Sequence, residues 1–450
     1  MQAAEQIVKL LKKKGFQAFF VGGVVRNMLL KREIDNFDIA TDATPDQIEQ
    51  ILKDEKIYSK PVGKQFGSIL AIYKKLKIEI TAFRAEGRYS DKRHPDQVKF
   101  IKNYKEDAKR RDFTINALYF DPITKELFDP TKQGLKDLKS RLLRFVGDPK
   151  KRIDEDALRM MRGVRLATQL DFKLEKNAFA AIKTRAKYIQ DISGERIKAE
   201  LDKILLSKNR VEGLKLLDET GLLRFIIPEF EKLKTISHKS KFFHLEGNIF
   251  KHTFLVINSL RTQNLDLLYA GLFHDTGKVI TPVWVFKDSE WRNSFRGHDR
   301  ASVEIFEKFS QKFKFSKESR NNTLWLIKNH DNWRDFANMK IAKQIEFITN
   351  KNFPLLVQLM QADEAGNIRL NPNDDHARKS REELYKTSSK LLKALEKTKN
   401  LQNKLARGDL IMKYSNIKPG RQLGQKIEEI KTKIILGKIK NEKDLKRYLN

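Results

Sequence analysis

The sequence predicts a multi-domain protein in which an α/β head is followed by all-helical domains. Three observations support this fold class. The 450 residues exceed the size of one ordinary hydrophobic core and favour about three domains. Short apolar segments alternate with glycine-containing turns over about the first 140 residues, whereas apolar residues recur at helical spacing from there on. A hydrophobic fraction of 40% and a charged fraction of 33% are typical of folded proteins.

We predict four regions along the chain. Residues 1–140 form the α/β head, with strands in AFFVGG, FDIAT, SILAIY, KIEITAF and NALYF. Residues 141–245 form a helical neck that includes ALRMMRGVRLA. Residues 246–370 form a second helical region with four of the eight histidines. Residues 371–450 form a basic helical tail, in which 21 Lys and Arg residues outnumber 10 Asp and Glu residues.

The composition narrows the classes of partner and of site. A net charge of +32 attracts polyanions, and nucleic acid is the leading candidate; a solvated, lysine-rich surface is the alternative. The absence of cysteine excludes disulfides, thiolate metal sites and cysteine nucleophiles, so His, Asp, Glu or Asn must hold any metal. No stretch approaches the ~18 apolar residues of a membrane span, and the N-terminus lacks the pattern of a signal peptide. We therefore expect a cytoplasmic protein with no membrane partner.

Two glycines follow the first predicted strand. Gly22 and Gly23 come directly after AFFV and before a segment with helical spacing, so backbone amides can approach a phosphate at the start of that helix. Arg26 is expected to point into the same space, which makes all three residues candidates for nucleotide binding. An ordinary tight turn is the alternative, because a glycine pair alone is a weak signal.

A polar strand follows in DNFDIAT. Because side chains alternate across a strand, Asn36 and Asp38 share one face. The strand KIEITAF offers Glu79 between apolar residues, where a lone acid is costly unless it meets a cation; a solvent-facing position on an edge strand is the alternative. Phosphoryl transfer by two metal ions needs oxygen ligands that converge on cations a few ångströms apart. These three residues are therefore candidate catalytic and metal-binding groups.

Four long segments resemble the bacterial class II CCA-adding enzymes and poly(A) polymerases. They are VGGVVRNMLLKREIDNFDIATDATP, GKQFGSILAIYKKLKIEITAFRAEGRYSDKRHPDQVKF, EDAKRRDFTINALYFDP and EDALRMMRGVRLATQLDF. They occur in the order seen in the family and cover nearly all of residues 20–172. The resemblance implies a polymerase-β-like nucleotidyltransferase head that uses Mg²⁺, with its metal carboxylates at positions 36 and 38 and Glu79 as the third ligand.

The third segment is implied to bind the nucleotide. The stretch Arg110–Leu118 resembles the part of the family that recognises ribose and helps to position the nucleotide. On this resemblance, the nucleotide-binding residues of the stretch are Arg111, Asp112 and Asn116.

The fourth segment has a pattern with a physical interpretation. Asp156 and Arg159 are three residues apart, which places them on one face of a predicted helix, with Arg162 one turn further along. A carboxylate and a guanidinium together can imitate a Watson–Crick edge; an ordinary intrahelical salt bridge is the alternative. In the family that the chain resembles, such a pair is the protein template that selects CTP and then ATP.

Two features bear on the branch of the family. The segment GKQFGSILAIY looks like that of CCA-adding enzymes, whereas poly(A) polymerases of this class carry a basic pair after the glycine. The stretch Arg84–Arg93 resembles the flexible loop that accompanies the switch to ATP, which favours complete CCA addition over CC addition. Poly(A) addition is the nearest alternative.

The chain departs from the family pattern at two positions. Asn36 and Asn27 stand where the family usually has aspartate. Asn36 can offer its carbonyl oxygen to a metal but brings no negative charge, so the second cation should bind more weakly. Three interpretations stay open: Asn36 is a weaker ligand, Asp35 reaches the site through a local bulge, or position 36 carries an inactivating substitution.

Six residues of the second helical region predict a metal centre. Imidazoles and carboxylates suit a divalent transition metal or Mg²⁺, and an adjacent His-Asp pair can contact one or two cations; a single such histidine would more often belong to a core. The series resembles the HD superfamily of metal-dependent phosphohydrolases, and AGLFHDTGK is close to its central motif. In HD-bearing CCA-adding enzymes this implies phosphohydrolysis, including opening of a 2′,3′-cyclic phosphate at a damaged tRNA end. The candidate ligands are His252, His274, Asp275, His298, His330 and Asp363.

The tail contains the turn IKPGRQLG between two helical segments. Pro419 and the neighbouring glycines can expose backbone amides beside Lys418 and Arg421. Such a turn suits contact with an RNA phosphate backbone; a plain helical hairpin is the alternative. This segment also resembles the C-terminal region of HD-bearing CCA-adding enzymes.

These patterns predict an enzyme that adds CCA to the 3′ end of tRNA without a nucleic-acid template, with a second phosphohydrolase activity in its HD module. The expected partners are tRNA, CTP and ATP, and we expect a monomer or a homodimer. One alternative is a poly(A) polymerase. The other is an HD phosphohydrolase whose impaired head only binds RNA or nucleotide, an interpretation that Asn36 keeps open.

Overall fold

The computed structural model describes residues 1–34, 36–87, 97–287, 290–331, 336, 338–371 and 376–449. It divides into an N-terminal unit, Met1–Pro228, and a C-terminal unit, Glu229–Asn450. Within the described ranges, no helix is both long enough and apolar enough to cross a membrane.

The N-terminal unit combines one large sheet with helices. Its strands are β1 (Ala18–Val21), β2 (Phe37–Thr41), β3 (Tyr58–Lys60), β4 (Ser68–Tyr73), β5 (Leu76–Ala82), β6 (Arg84–Glu86), β7 (Val98–Phe100), β8 (Tyr119–Phe120), β9 (Leu127–Phe128), β10 (Leu142–Leu143) and β11 (Lys173–Leu174). Its helices are α1 (Gln2–Lys13), α2 (Gly23–Leu29), α3 (Pro45–Asp54), α4 (Tyr104–Lys109), α5 (Gly134–Lys139), α6 (Pro149–Glu155), α7 (Leu158–Leu170), α8 (Lys176–Arg185), α9 (Gly194–Leu205), α10 (Arg210–Glu219) and α11 (Leu223–Ile226).

The large sheet has seven strands in the order β3-β4-β5-β2-β1-β8-β9. Strands β2 and β5 run parallel, and the other neighbouring pairs are antiparallel. All four residues of β1 are buried, and in β2 only Asp38 is less than fully buried. These two strands are therefore covered on both faces, and Asp38 is the exception that interrupts an apolar core strand.

Local sequence signals explain why the connections fold as they do. Gly22 has φ of 72° and ψ of −130°, a conformation that side chains disfavour, and it allows β1 to turn directly into α2. Thr44 forms a capping box with Gln47 before α3, and Pro45 follows at the first helical position.

The C-terminal unit is helical with one β-hairpin. Its helices are α12 (Glu229–Leu233), α13 (Ile249–Ser259), α14 (Leu265–Phe273), α15 (His298–Lys312), α16 (Lys317–Asn329), α17 (Ile341–Thr349), α18 (Phe353–Gly366), α19 (His376–Leu405), α20 (Gly408–Tyr414), α21 (Arg421–Ile435) and α22 (Glu442–Leu449). The hairpin consists of β12 (Val283–Lys287) and β13 (Glu290–Ser294). Helix α13 packs on α18, and α14 and α15 both pack on α16. The α/β head and the helical remainder that the sequence predicts are confirmed.

Candidate functional site

The head brings two carboxylates together in its central sheet. Asp38 of β2 and Glu79 of β5 are direct partners in the parallel register, and neighbouring strands lie about 4.8 Å apart. Glu79 is exposed and Asp38 is half-buried, so the pair opens to solvent on one side. Asn36 is exposed and lies just before β2, whereas Asp35 lies outside the described residues. The roles of Asn36, Asp38 and Glu79 as metal ligands stay predictions.

The environment of Asp38 suits a cation. Burial raises the pKa of Asp38 to about 6, and the negative charge of Glu79 adds to this effect, whereas Arg111 and Arg26 oppose it. Two neighbouring carboxylates that are costly to ionise together are stabilised by a divalent ion, and oxygen donors are the ligands that Mg²⁺ prefers. A Cβ at Gly22 would lie 3.5 Å from Oδ2 of Asp38. Glycine at position 22 therefore keeps the space beside this carboxylate open.

Four of the residues predicted to bind nucleotide form one connected set. Nη1 of Arg26 donates to Oδ1 of Asn116 at 2.8 Å, and Nδ2 of Asn116 donates to Oδ1 of Asp112 at 3.2 Å. Arg162 of α7 donates from Nε and Nη2 to Oδ2 of Asp112, at 3.0 and 2.5 Å. Although burial disfavours its charged form, the charge of Arg162 and these hydrogen bonds hold the pKa of Asp112 well below its usual range. The first turn of α2 is thus tied to the neck helix.

Arg111 is held beside the carboxylates by different partners. Its Nε donates to the hydroxyl of Tyr119 at 3.0 Å, and its Nη2 donates to Oδ2 of Asp107 at 3.0 Å. A Cβ at Gly22 would lie 3.9 Å from Nη1 of Arg111. One positive charge therefore borders the open space next to Asp38.

The predicted template pair is arranged differently from the expectation. Asp156 directly follows α6, which ends at Glu155, and has extended backbone angles; α7 begins only at Leu158. Its Oδ1 accepts from the backbone N–H of Leu158 at 3.1 Å, and its Oδ2 accepts from Arg196 at 3.0 Å. The prediction that Asp156 and Arg159 lie on one helix is wrong, because α6 ends at Glu155 and α7 begins at Leu158, with Ala157 as its N-cap residue.

Arg159 is buried and has partners of its own. Its Nη1 donates to Oε2 of Glu155 at 2.6 Å and to the carbonyl of Arg152 at 3.0 Å. Its Nη2 donates to the carbonyl of Arg110 at 3.2 Å. The predicted role of Asp156 and Arg159 in reading a base stays a prediction.

In the C-terminal unit, one group of candidate metal ligands lies around Asp363. Oδ1 of Asp363 lies 2.8 Å from Nε2 of His252 and 3.4 Å from Nε2 of His274. Oδ2 of Asp275 lies 3.5 Å from Nε2 of His274 and 3.9 Å from Nε2 of His252. These four side chains come from α13, α18 and the end of α14. They bring two imidazole nitrogens and two carboxylate oxygens to one point.

A second group uses the other oxygen of Asp275. Oδ1 of Asp275 lies 3.5 Å from Nε2 of His298 and 3.9 Å from Nε2 of His330, and the two imidazole nitrogens are 3.1 Å apart. The six predicted ligands therefore come together, with Asp275 between the two groups. Such a set suits one or two divalent cations.

Backbone carbonyls fix the orientation of three of these imidazoles. In each case Nδ1 donates to a carbonyl three residues earlier, so that Nε2 faces the centre as a lone-pair donor. The pairs are His274 with Gly271 at 2.9 Å, His298 with Phe295 at 2.9 Å and His330 with Ile327 at 2.7 Å. This tautomer is the one that metal ligation requires.

The fourth imidazole is oriented by a carboxylate that the sequence analysis missed. Nδ1 of His252 donates to Oε1 of Glu246 at 3.0 Å and to the carbonyl of Gly366 at 3.2 Å. His238 and His244 approach the same carboxylate oxygen, at 3.2 and 3.0 Å. Although burial opposes ionisation, these histidines hold the pKa of Glu246 well below its usual range. The sequence signal that could have identified Glu246 is the motif His-x-Glu at residues 244–246, which ends six residues before His252.

We expect Glu246→Gln to weaken metal binding by about 10- to 100-fold, because a negative partner on Nδ1 raises the basicity of a ligating histidine. Titration of the metal-free protein with Zn²⁺ or Mn²⁺ measures the change. Glu304→Gln on the exposed side of α15 removes the same charge away from the centre and serves as the matched control. Unchanged affinity in the first variant would show that Glu246 has no part in orienting His252.

The remaining predicted residues lie on the surface or only partly in the described ranges. Lys418 and Arg421 are exposed on either side of Gly420, which precedes α21, and their contact with RNA stays a prediction. Of the stretch Arg84–Arg93, residues 88–93 lie outside the described residues.

Three family models match the chain. Residues 18–144 match the poly A polymerase head domain, residues 171–234 match a probable RNA and SrmB-binding site of polymerase A, and residues 249–361 match the HD domain. A CCA-adding enzyme of Lactococcus lactis subsp. cremoris is 42% identical over 253 residues, which cover 54% of this chain and 61% of the relative. The chain is therefore similar to CCA-adding enzymes, and it contains a region that matches the poly A polymerase head domain. Nucleotidyltransferase heads and HD domains of this kind are metal-dependent.

A second relative and two solved structures show the same similarity. A CCA-adding enzyme of Enterococcus faecalis is 45% identical over 224 residues, covering 49% of this chain and 53% of the relative. The matched part of this chain spans between half and two thirds of the length of these two relatives. Bacillus stearothermophilus CCA-adding enzyme in complex with CTP has the same fold, with a TM-score of 0.71 and 24% identity over 100% of this chain and 96% of that one. Thermotoga maritima CCA-adding enzyme complexed with tRNA also has this fold, with a TM-score of 0.59 and 17% identity. The match covers 99% of this chain and 93% of that one.

Proposed function

We propose that the head adds CCA to the 3′ end of tRNA from CTP and ATP. The observation that carries this proposal is the partnering of Asp38 with Glu79 beside Gly22, in a head that matches the polymerase family. The relatives that bear the name CCA-adding enzyme support the choice of product. In the reaction, the 3′ hydroxyl of the RNA attacks the α-phosphate of the nucleotide in line, and pyrophosphate leaves.

The side chains of the head divide the work of binding and positioning. Asp38 and Glu79, with Asn36, would hold Mg²⁺, which when bound supplies positive charge to the triphosphate and to the attacking oxygen. Gly22 leaves space for a phosphate next to Asp38, and Arg111 borders that space with a further positive charge. The set formed by Arg26, Asn116, Asp112 and Arg162 orients the ribose and keeps the head aligned with the neck.

The choice of nucleotide separates CCA addition from poly(A) addition. Purified protein is incubated with tRNA that lacks its last three nucleotides and with labelled CTP or ATP. We expect CMP to be incorporated first and AMP only after it. Incorporation of ATP alone, on any RNA, would support the polymerase alternative instead.

Asn36→Asp should lower the Mg²⁺ concentration needed for half-maximal CMP incorporation by about tenfold, because a carboxylate adds a negative charge that the amide lacks. Asn177→Asp makes the same charge change at an exposed position of α8, away from the carboxylates, and is the matched control. If the wild-type protein is inactive and the variant active, position 36 carries an inactivating substitution. If the Asn36→Asp variant and the wild-type protein need the same Mg²⁺ concentration, Asn36 is not a metal ligand.

We propose a second activity for the HD domain, the hydrolysis of phosphate esters at RNA ends. The observation that favours it is the meeting of all six candidate ligands around Asp275. A divalent transition metal suits these imidazoles better than Mg²⁺ does. Opening of a 2′,3′-cyclic phosphate on tRNA, followed with Mn²⁺, Ni²⁺, Co²⁺ or Mg²⁺ added to metal-free protein, tests both the activity and the metal.

The four predicted regions complete the proposal. The head transfers nucleotides, the neck reads the incoming base, the HD domain repairs RNA ends, and the tail holds the tRNA backbone through Lys418 and Arg421. Electrostatic binding of this kind does not read sequence. We expect this activity in the cytoplasm, from a monomer or a homodimer.

A further inference from the structure

Three histidines of the C-terminal unit meet one buried carboxylate. Oε1 of Glu246 lies 3.2 Å from Nε2 of His238 and 3.0 Å from Nδ1 of His244. Nδ1 of His252 lies 3.0 Å from the same oxygen. One ligand atom from each of these four residues lies within 4.8 Å of those of the other three. Only His252 is also a candidate ligand of the HD centre, through its other ring nitrogen.

Hydrogen bonding alone does not account for this cluster. A carboxylate oxygen has about two lone pairs, whereas three imidazole nitrogens approach Oε1 of Glu246. The side chain of His238 is only 2% exposed, and neither of its ring nitrogens forms a hydrogen bond within the part of the chain that the structure describes. A buried polar group without a hydrogen bond is costly and points to a further occupant. A cation between His238 and Glu246 would satisfy the nitrogen that faces the carboxylate.

The loop between α12 and α13 holds these side chains in place through contacts with the segment after α18. The N–H of His244 donates to Oδ1 of Asn367 at 2.9 Å, and the N–H of Leu245 donates to the carbonyl of Ile368 at 2.9 Å. The N–H of Ile368 donates to Oε2 of Glu246 at 2.9 Å. Because Oε2 is fixed by the main chain, Oε1 faces the histidines. The ligand atoms are therefore preorganised.

His252 does not depend on Glu246 alone for its orientation. Its Nδ1 also donates to the carbonyl of Gly366 at 3.2 Å. If Oε1 of Glu246 binds a cation, the ring of His252 keeps an acceptor for its N–H, and its Nε2 keeps facing Asp363. His238, His244 and Glu246 can thus serve a site of their own beside the HD centre.

The chemistry of these three side chains favours a transition metal. Two imidazoles and one carboxylate form many zinc sites, whereas Mg²⁺ prefers oxygen ligands. Bonds of about 2.1 Å to Zn²⁺ place tetrahedral ligands about 3.4 Å apart, and the two nitrogen–oxygen distances of 3.2 and 3.0 Å are close to this value. The side chain of His244 is 26% exposed, so solvent can supply a fourth ligand.

We propose that His238, His244 and Glu246 form a further metal site, separate from the HD centre, which binds one divalent transition-metal ion, with Zn²⁺ favoured. The ion fixes the loop that carries all three residues. Because it binds the folded protein, it also stabilises the C-terminal unit. The proposal goes beyond the hydrolase function and does not depend on it.

The zinc content of the full-length protein tests the site. Metal-free protein is loaded with Zn²⁺, freed of unbound ion by gel filtration and analysed for zinc per chain. We expect the double variant His238→Gln, His244→Gln to hold one ion fewer than the wild type, because two of three ligands are lost. Glu246 is left unchanged, since it also orients His252.

The Asp275→Asn background separates this site from the HD centre. That substitution weakens the HD centre, and we expect one zinc ion to remain bound. The remaining ion should be lost when His238→Gln and His244→Gln are added. The double variant Lys239→Gln, Lys241→Gln changes two exposed residues of the same loop and is the matched control, with the zinc content of the wild type.

The stability of the metal-free protein shows whether the variants are folded. In the Asp275→Asn background, Zn²⁺ should raise the midpoint of thermal unfolding, and this rise should disappear in the histidine variant. If the double variant does not fold, the single variant His244→Gln takes its place and should lower the affinity for Zn²⁺ by about tenfold or more.

Two results would contradict the proposed site. One is equal zinc content with and without His238 and His244 in the Asp275→Asn background, and the other is unchanged Zn²⁺ affinity in His244→Gln. None of these measurements uses hydrolysis. Failure of the hydrolase proposal therefore leaves this test intact, and loss of the zinc ion leaves the hydrolase proposal to its own assay.

Discussion

Asp38→Asn should lower CMP incorporation into tRNA lacking its CCA end by about 10³-fold or more, which corresponds to about 4 kcal/mol of barrier. Asp38 is the carboxylate at the centre of the head, with Glu79 as its register partner and Gly22 beside it. Asparagine keeps the shape but removes the charge on which cation binding depends. Radiolabelled CTP incorporation at saturating Mg²⁺ measures the effect.

Loss of folding can be separated from loss of chemistry in this variant. The pKa of Asp38 is about 6, raised from 3.8 by burial and by Glu79, so its ionised form destabilises the folded protein increasingly as the pH rises through this interval. Asparagine lacks this penalty, and the midpoint of thermal unfolding at pH 8 should therefore not fall. Asp42→Asn, just after the same strand, is the matched control. Incorporation within a few-fold of the wild type would remove Asp38 from the catalytic centre.

The sequence alone predicts the candidate residues that stand out in a local pattern along the chain. Alternation along DNFDIAT made Asp38 a candidate, and Glu79 was a candidate as a lone acid between apolar residues, but their pairing depends on a parallel register between strands that are distant in the chain. The candidate ligands of the HD domain were likewise visible as a series of His and Asp residues. Spacing does not reveal that Asp275 offers one oxygen to each group of histidines, because that depends on how four helix ends pack together.

Other features could not be derived from spacing alone. A separation of three residues placed Asp156 and Arg159 on one helix, but α7 starts at Leu158 with Ala157 as its N-cap residue, and Oδ1 of Asp156 accepts from the N–H of Leu158. Helical periodicity is a weak guide at helix ends, where a polar side chain competes for the first free N–H groups. Glu246 was missed for a related reason, since it lies in a segment without periodicity and acts on the far side of a histidine ring.

Asp275→Asn should abolish hydrolysis by the HD centre, with a loss of about 10³-fold or more, and should leave CMP incorporation intact. Asp275 is 2% exposed. Although burial opposes ionisation, Lys278 and the surrounding histidines hold its pKa well below the usual range. The substitution removes the one negative charge that both groups of imidazoles share. Hydrolysis of a 2′,3′-cyclic phosphate and of bis(p-nitrophenyl) phosphate should fall together, because neither the base nor the chain length matters to this loss.

The metal content of the same variant tests the arrangement around Asp275. If each of its oxygens serves a separate cation, Asp275→Asn should lower the affinity at both positions, whereas His330→Asn should lower it only on the side of His298. Elemental analysis after dialysis against limiting Mn²⁺ distinguishes these results, and Asp299→Asn beside His298 is the matched control. Retention of full metal content and hydrolysis by Asp275→Asn would contradict a shared carboxylate. A reciprocal pattern, in which Asp38→Asn stops only incorporation and Asp275→Asn stops only hydrolysis, requires two independent centres in one chain.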